Sequence, residues 1–281
     1  MSIREHITWR DIDGIRVGRF GGRVNTTSIL WRLGSTIIDT GPPNQWASVR
    51  RFVEERPVER VVVTHHHEDH AGNLARFRAL GHEDLLAPRE SLAFLERGFP
   101  LQAYRRVVWG VPGRTAARPF SGEIELPDGG RLVALLLPGH SPDMTCLLDP
   151  ERGALFGADV YVGSHLRYLR RDENLNGIIA ALGRLLEIDF DVLLCSHRGI
   201  VEPPRPKLRQ KLESLLELRE QARTLAGRGH SIAEITRRLL GPEDFITRVS
   251  FGHFSKQNLV LACLDPEGNV TAPSSAPRGV G

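Results

Sequence analysis

The chain has 281 residues, 41% hydrophobic and 25% charged, with a formal net charge of +3 at pH 7 and a sequence pI of about 9.0. No apolar run approaches the roughly 20 residues that span a bilayer, and the three cysteines, Cys146, Cys195 and Cys263, have no framework spacing. This composition excludes a membrane-spanning or disulfide-built protein, while the small basic excess permits an anionic substrate or a nucleic acid without demanding either.

The first forty residues read as short strands. VNTTSILWRLGSTIIDTG (Val24 to Gly41) alternates polar and apolar residues around a Leu33-Gly34-Ser35 turn, which predicts two strands ending at Asp39. NQWASVRRFVEER has helical spacing before Pro57, VERVVVT is a buried strand, and AGNLARFRALG is a helix stopped by Gly81. This alternation predicts an α/β layered fold. SLAFLERG is helical, whereas residues 98–125 mix Pro, Gly, Arg and aromatics; an irregular excursion of that length marks function or disorder. RLVALLLPGH, TCLLDPERGALFGAD and FDVLLCSHRG are further strand regions, the second a hairpin around Asp149-Pro150, and ENLNGIIAALGRLLEI is an amphipathic helix.

After VEPPRPK the composition shifts. Leu208, Leu212, Leu215, Leu216 and Leu225 are expected on one helical face. Ser231 and Glu234 have capping-box spacing at the start of a second helix, and FSKQNLVLACL reads as a third. The expected organisation is an α/β domain over 1–204, an α-helical C-terminal appendage over 205–265, and a flexible tail over 266–281. The N-terminal MSIREHITWR has no apolar leader core, so a cytoplasmic, reducing location is expected.

HHHEDH, His65 to His70, packs four histidines and two carboxylates directly behind the valine strand. Zinc and related cations take imidazole nitrogen and carboxylate oxygen, and a catalytic site keeps a position open for water. His67 and His70 are three apart and follow a strand, unlike the helical His-Glu-x-x-His arrangement, so the cluster belongs to a strand-to-helix loop. Period two along the strand end sends His65 and His67 one way and His66 and Glu68 the other. Asp69 and His70 fall where the chain turns. Two adjacent metal positions follow, one at His65 and His67, the next at Asp69 and His70, leaving His66 and Glu68 to structural or outer contacts. Later strands deliver His140, Asp159 and His197 at their ends, where α/β folds assemble sites. Cys195, two residues before His197, reads as a buried strand residue.

This ordered set resembles the metallo-β-lactamase superfamily of metal-dependent hydrolases. His65-His66-His67-Glu68-Asp69-His70 is similar to its His-x-His-x-Asp-His motif, and Asp39 in IIDTG to its early structural Asp. Pro138-Gly139-His140-Ser141-Pro142, Gly157-Ala158-Asp159 and Ser196-His197-Arg198-Gly199 resemble its later motifs. The resemblance covers roughly residues 10 to 200. It implies the metallo-β-lactamase fold, an αββα sandwich with the site at one edge, and two divalent cations, zinc first, with iron or manganese as alternatives. His65, His67 and His140 would hold one, Asp69, His70 and His197 the other, and Asp159 would bridge them. Two features depart from the pattern: Ala158 separates Gly157 from Asp159, and CSHRG replaces Gly-His-Gly. Arg198 there would meet an anionic substrate.

Paired cations lower the pKa of a bridging water towards about 7, which supplies hydroxide. Asp69 would orient it, making Asp69 and Asp159 the catalytic residues. The expected reaction is hydrolysis of an ester-type bond (ester, thioester or lactone) in a small molecule, as in glyoxalase-II-like members, with Tyr104, Arg105, Arg106 and Trp109 as a lid. Two alternatives remain open. The C-terminal region resembles the winged-helix-like tail of lactamase-like endoribonucleases, with Arg237-Arg238 towards RNA, although its charges are mixed and it lacks an aromatic run. The other is a mononuclear iron sulfur dioxygenase, against which the complete second ligand set argues. His253 is expected to be a surface residue, and His6, His82, His165 and His230 lack ligand context. Oligomeric state is not legible in the sequence.

Overall fold

Strand pairing in the first half of the chain begins as an antiparallel meander and becomes parallel once helices intervene. The computed structural model describes residues 3–20 and 26–270. β1 (Glu5–Trp9), β2 (Ile12–Gly18), β3 (Thr27–Leu33) and β4 (Thr36–Ile38) pair antiparallel. β5 (Arg60–Val62), β6 (Leu85–Pro88) and β7 (Arg118–Phe120) extend the same seven-stranded sheet in parallel. Parallel neighbours need crossovers; α1 (Trp46–Glu54), α2 (Leu74–Ala79), then α3 (Leu92–Arg97) and α4 (Ala103–Val108) lie in those connections.

The second sheet has six strands: β8 (Glu123–Glu125), β9 (Arg131–Leu136), β10 (Thr145–Asp149), β11 (Ala154–Phe156), β13 (Val192–Cys195) and β14 (Gly199–Val201). β10 and β11 form the hairpin expected at Asp149-Pro150, with Asp149 opposite Ala154. A short pair outside both sheets joins β12 (Leu169–Arg170) to β15 (Phe254–Ser255). α5 (Leu175–Leu186), α6 (Pro204–Gly227), α7 (Ile232–Leu240), α8 (Phe245–Val249) and α9 (Lys256–Leu264) make up the remaining α-helices among the described residues.

Period-two alternation explains why the sheets stack. Trp31, Leu33, Leu147, Phe156, Val192 and Leu194 face inward into one core between the sheets. Their neighbours Leu30, Ile37 and Val61 face out against Val49, Phe52, Leu74 and Phe77 on α1 and α2. Cys146, Leu155, Leu193 and Cys195 face the opposite outer layer, where α5 and the C-terminal helices cover them. The order is helix, sheet, sheet, helix.

The C-terminal helices are part of the fourth layer. Leu208, Leu215 and Ala222 of α6, Ile235 of α7, and Leu259, Val260 and Cys263 of α9 share one cluster with Leu182 and Leu185 of α5. Leu212 and Leu225 are partly buried beside it, but Leu216 is 38% exposed. At about 100° per residue it lies off the stripe that positions 208, 212, 215 and 222 share. The capping box at Ser231 and Glu234 is present. Of the expected tail, residues 271–281 lie outside the described residues. Residues 266–270 lie against α5: Leu175 N–H donates to Gly268 O at 2.8 Å, and Asn176 Nδ2 donates to Pro266 O at 2.9 Å. No helix among the described residues is long and apolar enough to cross a membrane.

Candidate metal centre

β4 and β5 run parallel in the first sheet, and β9, β11 and β13 share one direction in the second. The chain therefore leaves all five at one edge of the sandwich, carrying Asp39, the 64–73 loop, His140, Asp159 and His197. Backbone bonds join the sheets there: Ile29 N–H donates to Ser196 O at 2.7 Å, and Thr145 N–H to Thr64 O at 3.0 Å.

The 64–73 loop is held rigidly. Asp39 adopts φ +62 and its Oδ1 accepts from Thr64 N–H at 2.8 Å and from Thr64 Oγ1 at 2.9 Å. Asn73 Nδ2 donates to the carbonyls of Thr40, Gly41 and Pro42. A Cβ at Gly72 would lie 2.0 Å from Glu68 O, so only glycine lets the loop close.

All seven residues expected as ligands converge. His65 Nε2 lies 2.9 Å from His67 Nδ1, which lies 3.1 Å from His140 Nε2. On the other side, Asp69 Oδ2 is 3.8 Å from His70 Nε2 and 3.5 Å from His197 Nε2. Asp159 stands between: Oδ2 is 3.0 Å from His140 Nε2, while Oδ1 is 3.3 Å from His70 Nε2 and 3.1 Å from His197 Nε2. The overlapping groups His65–His67–His140, His65–His70–Asp159 and Asp69–His70–His197 could each hold a cation.

The donor chemistry fits metal ions. His70 Nε2 and Asp159 Oδ1 are buried without a hydrogen-bond partner, which is costly unless a cation satisfies them. The outward nitrogens have acceptors: His70 Nδ1 meets Asp39 Oδ2 at 2.7 Å, His140 Nδ1 meets Glu173 Oε1 at 2.8 Å, and His197 Nδ1 meets Thr27 O at 2.7 Å. Such acceptors fix one N–H outward, so the inward nitrogen is the one that would ligate a cation, which would displace any proton held there. Burial, reinforced by neighbouring cationic groups, holds His65 and His67 well below the ordinary imidazole range, so both are neutral at pH 7. Burial is also the largest effect at His70, His140 and His197, but the carboxylates, Asp159 foremost, outweigh it and raise all three.

His66 and Glu68 point elsewhere. His66 N–H and Nδ1 meet Asp143, whose Oδ2 also accepts from Ser91 Oγ at 2.6 Å. Glu68 accepts a bidentate pair from Arg105 at 2.6 and 2.5 Å, both side chains buried. Arg105, expected in a lid, is thus a clamp between α4 and the ligand loop. Arg198 is exposed and donates to Val162 O. Ala158, the extra residue before Asp159, adopts φ +43. His253 is buried, with Nδ1 2.9 Å from Tyr104 Oη, contrary to a surface position. The β12–β15 pair draws it inward.

Sequence reasoning missed Asp143, Arg170 and Glu173. Arg170 is buried, donates to His140 O at 2.9 Å and lies 3.4 Å from His67 Nε2. Asp143, three residues beyond His140, was the one with a local signal.

The αββα layers with this His/Asp edge define a metallo-β-lactamase-type protein. Residues 22–213 match the family description Metallo-beta-lactamase superfamily, and the chain belongs to that superfamily. Among curated relatives, it is 34% identical over 144 residues to "Thioesterase pkgB" of Emericella nidulans, covering 49% of this chain and 36% of that protein. It is 25% identical over 198 residues to a hydroxyacylglutathione hydrolase of Pseudomonas putida, covering 66% and 67%. The chain spans 36%, 50% and 57% of the length of three of the curated relatives it matches. A metallo-beta-lactamase family protein from Thermus thermophilus superposes with a TM-score of 0.65 at 18% identity, covering 88% of this chain and 91% of the other.

Proposed function

We propose that the protein is a metal-dependent hydrolase that cleaves an ester-type bond (thioester, ester or lactone) in a small molecule at a two-cation centre. His65, His67 and His140 would hold one cation, Asp69, His70 and His197 the other, with Asp159 shared. The observation that carries this reading is Asp159, whose two carboxylate oxygens face imidazoles of both groups. Divalent cations bound there, zinc foremost, would supply Lewis acidity and make hydroxide available near neutral pH. Asp69 Oδ2 lies 3.5 Å from His197 Nε2, and its carboxylate would accept the proton of an attacking water and set the direction of attack. Asp39, Glu173 and the Thr27 carbonyl hold three imidazoles by their outer nitrogens, so the ligand set is preorganised.

Relatives named thioesterase and hydroxyacylglutathione hydrolase support an acyl substrate over a phosphodiester. Three buried free thiols agree with work in a reducing, cytoplasmic setting. The test is metal quantification on the purified chain, paired with turnover of thioesters, esters, lactones and phosphodiesters. Two zinc ions per chain and cleavage of an acyl substrate are expected, both lost in Asp159→Ala. Full activity in metal-stripped protein would refute the reading. One iron per chain with oxygen uptake would favour the sulfur dioxygenase, and cleavage confined to phosphodiesters the nuclease.

A further inference from the structure

The excursion over 98–125 encloses a cavity of about 220 Å3 that no step above uses. Its floor is His66, the loop residue that turns away from the ligand set. Phe94 stacks on the His66 ring, with centroids 4.0 Å apart and planes at 17°, and Phe99 meets it edge-on at 4.6 Å. Leu101, Val111 and Pro112 extend the apolar wall. An apolar cavity of about 150 Å3 is enough to hold a benzene ring, so this one has room for a ring and a few further atoms. Asp143 pins His66 from behind at 2.8 and 2.9 Å, which keeps the floor in place when the cavity is empty or filled.

The polar part of the lining carries one sign of charge. Arg106 and Arg114 both border the cavity, and no carboxylate does. Arg114 reaches over Gly98, where a Cβ would come within 3.2 Å of its Nε. Among the described residues Arg114 has no hydrogen-bond or ion-pair partner. Arg106 donates its Nε to Leu101 O at 3.1 Å and leaves its terminal nitrogens unpaired. Arg105, on the same helix, is buried and paired with Glu68, whereas Arg106 and Arg114 are exposed at the cavity mouth, where an entering anion can meet them. An apolar cavity rimmed by uncompensated guanidiniums is complementary to an organic anion with a compact hydrophobic body.

We propose that this cavity is a binding site for a small carboxylate bearing an aryl or branched-alkyl arm. The arm lies on His66, Phe94 and Phe99, and the carboxylate lies between Arg106 and Arg114. The binding site stands without the hydrolase reading. None of the seven candidate metal ligands lines it.

Calorimetric titration of the full chain with 3-phenylpropanoate and with uncharged 3-phenylpropan-1-ol tests this. The acid is expected to bind at least about ten-fold more tightly than the alcohol. Arg106→Gln with Arg114→Gln should erase that preference, because it removes only the charges. Val111→Trp, at a position 62% exposed and so tolerant of substitution, should block both ligands. Equal affinity for acid and alcohol would overturn the proposal. So would binding of the acid that survives both sets of substitutions, which would place the carboxylate at the metal centre instead. A chain that binds the acid in this pattern yet cleaves no acyl substrate would count against the hydrolase reading alone.

Discussion

Glu173 and Lys211 show how buried single residues set chemistry at a distance. Glu173 fixes the outer nitrogen of His140, the least buried of the candidate ligands, and its Oε2 accepts from Arg170 N–H at 2.8 Å. Glu173→Gln keeps the shape and removes the charge, and is expected to lower zinc affinity about 10- to 100-fold in chelator competition, with unfolding unchanged. Unaltered affinity would show that His140 needs no orienting partner. Lys211 Nζ donates to Val160 O and Tyr161 O at 2.7 Å inside the fourth layer. Burial pulls its pKa down to about 8 from 10.5. Above about pH 8 the folded chain releases a proton that the unfolded chain keeps until about 10.5, so this group adds stability as pH rises. Wild type should gain roughly 2 kcal/mol on Lys211→Met between about pH 7 and 9.5 in urea titrations; parallel curves would contradict the assignment. The ligand-type residues were legible because they crowd one loop or end apolar strands. Arg170 and Glu173 were not, since RRDEN is an ordinary polar run until β12 pairs with β15.

At the scale of elements, two joints fasten the insertion and the C-terminal segment to the site. Glu68→Ala leaves Arg105 buried without its carboxylate, and should cost about 3–5 kcal/mol of stability. A loss below about 1 kcal/mol, measured by urea unfolding, would mean that α4 is free to move. The second joint is Asn258, whose Nδ2 donates to the carbonyls of Leu169, Gly252 and His253. Asn258→Ala should lower stability by about 2 kcal/mol, because buried carbonyls lose their donor. β4, α1, β5, α5 and the β10–β11 hairpin follow directly from periodicity and turn residues. α4, α8 and the β12–β15 pair do not, because elements this short take their conformation from partners far along the chain.

Across the whole molecule, the helical appendage and the second sheet share one hydrophobic cluster. A chain ending at residue 203 would expose Leu182, Leu185, Leu193 and Cys195 to water, and is expected to aggregate or bind hydrophobic dye, whereas the full chain unfolds in one transition. Two separate transitions in the full chain would show that residues 205–265 fold on their own. The sequence alone determined the layered α/β class, the loop and strand ends that carry His65, His67, Asp69, His70, His140, Asp159 and His197, and the family. Local pattern suffices for these, because alternation and ligand spacing act over a few residues. Only the tertiary structure decided that Arg105 neutralises Glu68, that His253 is drawn inward beside Tyr104, and that the 98–125 excursion walls a cavity over His66. Each of those depends on which distant groups burial brings within a few ångströms, and desolvation, not sequence proximity, makes such pairings consequential.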